Sequence, residues 1–192
     1  MKDKCIGFAM CGSFCTLERA IGSLENFHML YGSVIPIMSE RTYSLDTRFG
    51  KASDFASRVS ALCGTDIIHD IRSAEPIGPA APLDILVIAP CTGNTLAKIA
   101  LGITDSSVTM AAKAHLRNGR PVLIAVATND ALAGNLTNIG TLLNRKNVYF
   151  VPFYQDDCIG KPASLASDFD SIPTAIAAAL CGKQLQPILR RA

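Results

Sequence analysis

The chain has no tryptophan, four tyrosines and eight phenylalanines in 192 residues. So few rings leave little for stacking nucleic-acid bases. Charge of either sign is not in excess. The formal net charge is +2, too small to argue for nucleic acid or a membrane surface. The three histidines, His28, His69 and His115, have no metal-ligand spacing. There is no Cys-x-x-Cys among the seven cysteines, and Cys11 and Cys15 have no second ligand pair nearby, so no zinc site is expected. The odd cysteine count reads as buried thiols in a reducing cytosol. No apolar run approaches the ~20 residues of a membrane span. The start, "MKDKCIGFAMCGSF", has a charged beginning but neither a long apolar stretch nor a clear cleavage site, so no signal peptide is expected.

What is present is a hydrophobic, moderately charged chain, 49% and 18% of residues respectively, which is the composition of a globular domain. Its length suits one domain over 1–192 with a sizeable core. Short apolar runs alternate with longer amphipathic ones. The runs predict strands over Cys5–Met10, Ser33–Ser39, Leu83–Ala89, Pro121–Ala127 and Val148–Pro152, and a short one over Asp66–Ile68. The amphipathic stretches predict helices over Ser13–Leu30, Ala52–Cys63, Asn94–Leu101, Ser107–Asn118, Ala131–Asn144 and Ile172–Cys181. Strands apolar on both faces, alternating with helices, make an α/β fold: a doubly wound parallel sheet with helices on both faces. Pro36 is awkward inside the second strand, where it removes a ladder donor. The stretch "RSAEPIGPAAP", Arg72 to Pro82, reads as an ordered, non-helical loop within the domain, of the kind that serves as a contact surface.

In such a sheet ligands bind beyond the carboxyl ends of the strands. In the first loop there, Gly12 and Ser13 turn the chain into a helix, whose free N–H groups attract an anion. The turn reads either as a phosphate site or as a plain helix cap; it is neither Gly-x-Gly-x-x-Gly nor a P-loop. Ser39 and Glu40 end the second strand, where an acid could hold ribose hydroxyls or simply face solvent. "PCTGNT" follows the "LDILVIA" run. A helix needs one cap, yet Thr92, Asn94 and Thr95 are all polar, and Gly93 permits close approach to the backbone. Asp105, Ser106 and Ser107 begin another helix, and the two polar helix entries together would line one pocket. Asn129, Asp130, Asn135 and Asn138 crowd the loop after the fourth main strand, more than turn chemistry requires; a mobile loop over the pocket is the alternative. His115 is expected on a helix surface. Cys91 is either a nucleophile or a passive buried thiol, and no partnering base is identifiable.

The stretch "IAPCTGNTLAKIALGITD" resembles the flavoprotein superfamily of homo-oligomeric flavin-containing cysteine decarboxylases. That family carries Pro-Ala-Ser-Ala-Asn-Thr where this chain has Pro90, Cys91, Thr92, Gly93, Asn94 and Thr95. It has a Gly-Ser turn matching Gly12 and Ser13. Nearly the whole chain is similar to one branch, the dipicolinate synthase B subunits, through "AEPIGP", "TDSSVTMAAKAHLRNGRPV", "TNDAL", "KNVYFVPF", "KPASL" and "QLQPIL". The resemblance implies a Rossmann-like flavoprotein fold and a flavin mononucleotide (FMN) pocket. The candidate cofactor-binding residues are Gly12, Ser13, Ser39, Pro90, Thr92, Asn94, Thr95, Asp105 and Ser106. Asn129 and Asp130 are candidate substrate-binding residues; no catalytic residue and no metal is assigned.

Two departures stand out. The decarboxylase clamp Pro-x-Met-Asn reads Ala127, Thr128, Asn129, Asp130 here, and the "RSAEPIGPAAP" insertion separates His69, the one candidate for the family histidine, from Pro90. The resemblance further implies a partner A subunit carrying a nicotinamide dinucleotide (NAD(P)), a homo-oligomer, a small anionic ligand, and a cytoplasmic location in the mother cell of a spore-forming bacterium. Three readings stay open: an oxidoreductase subunit making dipicolinate, a non-catalytic partner with a degenerate flavin pocket, and a free-standing FMN-dependent decarboxylase.

Overall fold

A computed structural model describes residues 3–28, 30–78 and 83–191. Five strands form a parallel sheet: β1 (Cys5–Met10), β2 (Ser33–Met38), β3 (Ile85–Cys91), β4 (Val122–Thr128) and β5 (Val148–Phe150). Their spatial order is β2-β1-β3-β4, with β5 beside the first half of β4. The end of β4 pairs instead with an antiparallel ribbon, β7 (Leu165–Ser167), which in turn pairs β6 (Phe153–Tyr154). The parallel doubly wound core matches the expectation. The antiparallel ribbon was not expected, because strands of two and three residues leave no periodic trace.

Side chains alternate between two cores, one on each face. Ile6, Phe8 and Met10 of β1 join Ile85, Val87 and Ala89 of β3 on one face, under helices α1 (Phe14–His28), α3 (Ala52–Cys63) and α8 (Ile172–Leu180). Ala9, Leu86, Ile88 and Ile124 face the other way, toward α4 (Ile71–Ala74), α5 (Gly93–Leu101), α6 (Ser107–Arg117) and α7 (Leu136–Leu143). The short helix α2 (Glu40–Ser44) follows β2. Strict alternation would place Cys91 on the face of Ala89. The pairing register shifts between Ile88 and Cys91, and Cys91 instead joins the core of Cys11.

Pro36 is tolerated because β2 is an edge strand. Its carbonyl and the Met38 N–H both point away from β1, toward Ile68, so the missing N–H takes nothing from the β1 ladder. The expected strand over Asp66–Ile68 is reduced to this single bridge at Ile68. The "RSAEPIGPAAP" expectation needs correction in its first half. Asp70 caps α4, and a 3-10 turn over Glu75–Ile77 takes Pro76 in its first turn, where proline costs no hydrogen bond. Ala74 and Ile77 are buried against the α6 face. Residues 79–82 of that stretch lie outside the described residues.

The helix expected from Ala131 starts only at Leu136. The Asp130 carbonyl accepts the N–H groups of both Ala133 and Asn135, a turn that must end before the helix starts. Beyond β5, the side-chain amide of Gln184 pairs with both the N–H and C=O of Phe150, at 2.8 and 2.7 Å, and so substitutes for a neighbouring strand. No helix among the described residues is long and apolar enough to cross a membrane.

Candidate functional site

The carboxyl ends of β1, β3 and β4 open into a cleft of about 460 Å³, within the usual range for small-molecule sites. Gly12 to Thr16 form one wall, where α1 begins; the Ser13 and Thr16 N–H groups are taken by the Cys11 and Ser13 carbonyls, which leaves those of Phe14 and Cys15 open at the helix start. The Ser13 hydroxyl makes no cap; its contact is a long one to Cys15 Sγ at 4.0 Å. Thr92, Thr128 and Asn129 line the floor, and Ala127, Leu165 and Ala166 give an apolar side. Two cations face this space, Arg48 and Lys161, against one carboxylate, Asp156.

Several of these residues carried no sequence signal as site residues. Arg48 and Phe49 sit at the tip of a loop closed by reciprocal backbone hydrogen bonds between Thr47 and Gly50. Gly50 has φ +146°, and a Cβ there would lie 2.8 Å from the Phe55 ring, so the turn needs glycine. The Arg48 guanidinium lies 4.9 Å over the Phe49 ring. Lys161 is held by a turn in which Asp157 accepts the N–H groups of Gly160 and Lys161. Both loops fall in stretches the topology rule selects, but neither has a recognisable motif.

Of the residues singled out in the sequence, Gly12, Ser13, Thr92 and Asn129 meet in the cleft. Thr92 is also the N-cap of α5: its hydroxyl accepts the Thr95 N–H at 3.3 Å and donates to Thr95 Oγ1 at 3.2 Å. Asn94 is exposed beside it, and Pro90 is buried within β3. Ser39 caps α2, accepting from Thr42 N. Ser106 caps α6 in a reciprocal box with Thr109, and Asp105 pairs with Lys98 at 2.8 Å; neither lines the cleft. Glu40 reaches the start of α6, where its carboxylate accepts the Ser107 N–H at 2.9 Å. The acid at the end of β2 therefore binds a helix terminus of its own chain.

Asp130 is also committed internally. Its carboxylate accepts from Thr128 Oγ1 at 2.5 Å and from Asn135 Nδ2 at 2.8 Å, and Asn138 donates to Asn135 at 2.9 Å. Asn135 and Asn138 thus join Asp130 and Thr128 in one network packed against Gly93, and Asn129 stays outside it, facing the cleft. His69 is elsewhere, stacked on Tyr43 at 3.8 Å with Nδ1 on the Ile67 carbonyl. His115 is fully buried, a correction to the surface expected for it, and its pKa falls to about 4 through burial first and Arg120 second.

Two thiols lie beneath the cleft. Cys11 Sγ donates to the Pro90 carbonyl at 3.1 Å and accepts the Thr92 N–H at 3.4 Å. A hydrogen bond from Cys91 brings the Cys11 pKa down to about 7 against the effect of burial, with Thr95 and Thr92 adding. The same contact and burial push Cys91 well up. Cys91 is 0% exposed, so it has no path to a substrate. The reading of all cysteines as buried holds for Cys11 and Cys91; Cys15, Cys158 and Cys181 are exposed.

A flavin mononucleotide fits this donor set. Its phosphate suits the α1 start, Ser13 and the two cations, and its ring suits the apolar side. The Flavoprotein family model matches residues 2–177. The B subunit of dipicolinate synthase from Bacillus subtilis is 44% identical over 189 residues, covering 98% of this chain and 94% of the relative. The crystal structure of the Bacillus halodurans dipicolinate synthase B subunit superposes with a TM-score of 0.90 at 42% identity, over 98% of this chain and 96% of that one. The FMN-dependent cysteine decarboxylase SpaF shares the fold, with a TM-score of 0.66 at 21% identity over 94% of this chain and 97% of that one. The chain belongs to the flavoprotein family, in the branch that holds the dipicolinate synthase B subunits.

Proposed function

We propose that this chain is the B subunit of a two-part dipicolinate synthase, active with a nicotinamide-binding A subunit in the mother-cell cytoplasm of a spore former. The reaction would aromatise a dihydrodipicolinate-type precursor. Two hydrogens leave the ring, one as hydride to the nicotinamide on the A subunit and one as a proton to solvent. The observation that carries this reading is the cationic cleft at the carboxyl ends of β1, β3 and β4, set in a chain 44% identical to a named B subunit.

Within the cleft the chain's own groups bind and orient. The α1 start, Ser13, Arg48 and Lys161 hold negative charge, as a phosphate or as ring carboxylates. Thr92 and Asn129 offer directional hydrogen bonds, and the Leu165–Ala166 wall excludes water from one face. A bound flavin would supply a two-electron relay between the ring and the nicotinamide. The homo-oligomer implied by the resemblance belongs to the same proposal.

A second reading, a non-catalytic partner that shapes the A subunit's site, has its own support. No histidine among the described residues lines the cleft, and Asp130 is tied up by Thr128 and Asn135. The deciding experiment titrates the purified protein with FMN by visible absorbance. It then assays the two-subunit pair for dipicolinate, with this chain as wild type and as the Ser13→Ala/Asn94→Ala double variant. A flavin spectrum and a large activity loss in the variant support the first reading. Full activity with the double variant supports the partner reading, and full activity of the A subunit alone overturns both.

A further inference from the structure

A second cleft of about 560 Å³ shares no lining residue with the first. It opens between the end of α5, one face of α6 from Thr109 to Arg117, and the loop ahead of β5, with Gly119 and Asn147 placing it near the amino ends of β4 and β5. Its floor is apolar: Ile99, Ile103, Ala112 and Leu116. Four cations surround that floor, Lys113 and Arg117 from α6 and Arg145 and Lys146 from the loop, and no acidic residue among the described residues lines it.

Ordinary structural duties account for part of this set. Lys113 and Arg117 lie toward the α6 carboxyl end, where cations offset the helix dipole. Arg145 donates to the Ile99 carbonyl at 3.0 Å and so caps α5. Those duties need one or two cations, and here four converge on one concavity. None of the four forms an ion pair within 4 Å among the described residues, although this chain pairs Lys98, Arg58 and Lys4 where it can. Glu75 borders Lys113 and Arg117 on their other side, and it too makes no such pair among those residues. The rim itself is fixed: Asn147, with φ 65°, donates from its side chain to the Gly119 carbonyl at 2.9 Å.

Four like charges held around an apolar floor repel one another, and an occupant of opposite charge relieves that repulsion. We propose that this cleft is a second ligand site, for a small organic polyanion: two or more carboxylate or phosphate groups on an apolar body. Concavity and volume suit a small molecule. The floor would cover the body, and the cations would take the acidic groups. The cleft is separate from the one at the carboxyl ends, and the inference does not depend on what that one holds.

The test is isothermal titration of the full chain at low salt with two probes, pyridine-2,6-dicarboxylate and pyrophosphate. At least one should bind, and Lys113→Gln/Arg117→Gln should weaken it by about tenfold or more, roughly 1.4 kcal/mol. Lys113→Arg/Arg117→Lys, which keeps the charge, should retain binding. Affinity for the first probe alone marks a carboxylate ligand, and for the second alone a phosphate ligand. The substituted side chains are exposed, so the variants keep the fold. Neither probe binding overturns the proposal. So does binding that survives the glutamine pair, or binding that is lost instead in Ser13→Ala/Asn94→Ala.

Discussion

Gly93→Ala puts a single methyl where the structure has no room. A Cβ at residue 93 would lie 2.7 Å from Asp130 Oδ1, 2.9 Å from Thr128 Oγ1, and closer still to Asn135 Nδ2. All three atoms belong to the Thr128–Asp130–Asn135 network, so none can swing away without losing a hydrogen bond. Overpacking of this kind costs about 1–3 kcal/mol, and a broken hydrogen bond adds about 1 kcal/mol. Alanine regains roughly 0.5–1 kcal/mol over glycine in helical backbone. The expected net is a loss of about 2 kcal/mol, or a fall in Tm of about 4–8 °C for a chain of this size. Urea unfolding of the variant measures it. A cycle with Asn135→Ala, which removes the nearest obstructing atom, should recover a coupling of at least about 1 kcal/mol. A Gly93→Ala protein as stable as wild type, or strict additivity in the cycle, would refute the claim that Gly93 exists to admit this network.

His115 has a folded pKa of about 4 against an ordinary 6.5, so the unfolded chain binds the extra proton between those values. Its contribution to stability is complete above pH 6.5 and is lost as the pH falls through 4, by about 3 kcal/mol in all. The His115→Leu variant should flatten that part of the pH–stability curve in urea titrations; an unchanged slope would count against it. Glu40→Ala should lower stability by about 0.5–2 kcal/mol through the lost Ser107 N–H cap, and FMN affinity in the absorbance titration should not move. A large affinity loss would return Glu40 to the ligand site.

The sheet was legible because its strands are long apolar runs and its helices have caps and periodicity. β1 and α3 fall on the expected boundaries, Cys5–Met10 and Ala52–Cys63. The β6–β7 ribbon was not legible, because Phe153–Tyr154 and Leu165–Ser167 are too short to show period two. In the site, Gly12, Ser13 and Thr92 could be found because a strand-to-helix turn has a fixed chemistry. Arg48 and Lys161 could not. Each arrives from a loop whose local sequence explains its own turn and says nothing of the wall it faces.

That division bears on how polar residues at strand ends should be read. Such a residue can satisfy a ligand or its own chain, and sequence alone counts both alike. Glu40, Ser106 and Asp130 answer to their own chain: an α6 N–H, a capping box and an asparagine network. Thr92 does both, capping α5 while lining the cleft. Ser13 and Asn129 line the cleft, and neither caps a helix among the described residues. A donor left unspent by the fold is the stronger pointer to a ligand, because a cap already made must be broken before it can bind anything else. By that criterion Ser13 and Asn129, more than the motif residues Asn94 and Thr95, are where substitution should cost ligand affinity without costing stability.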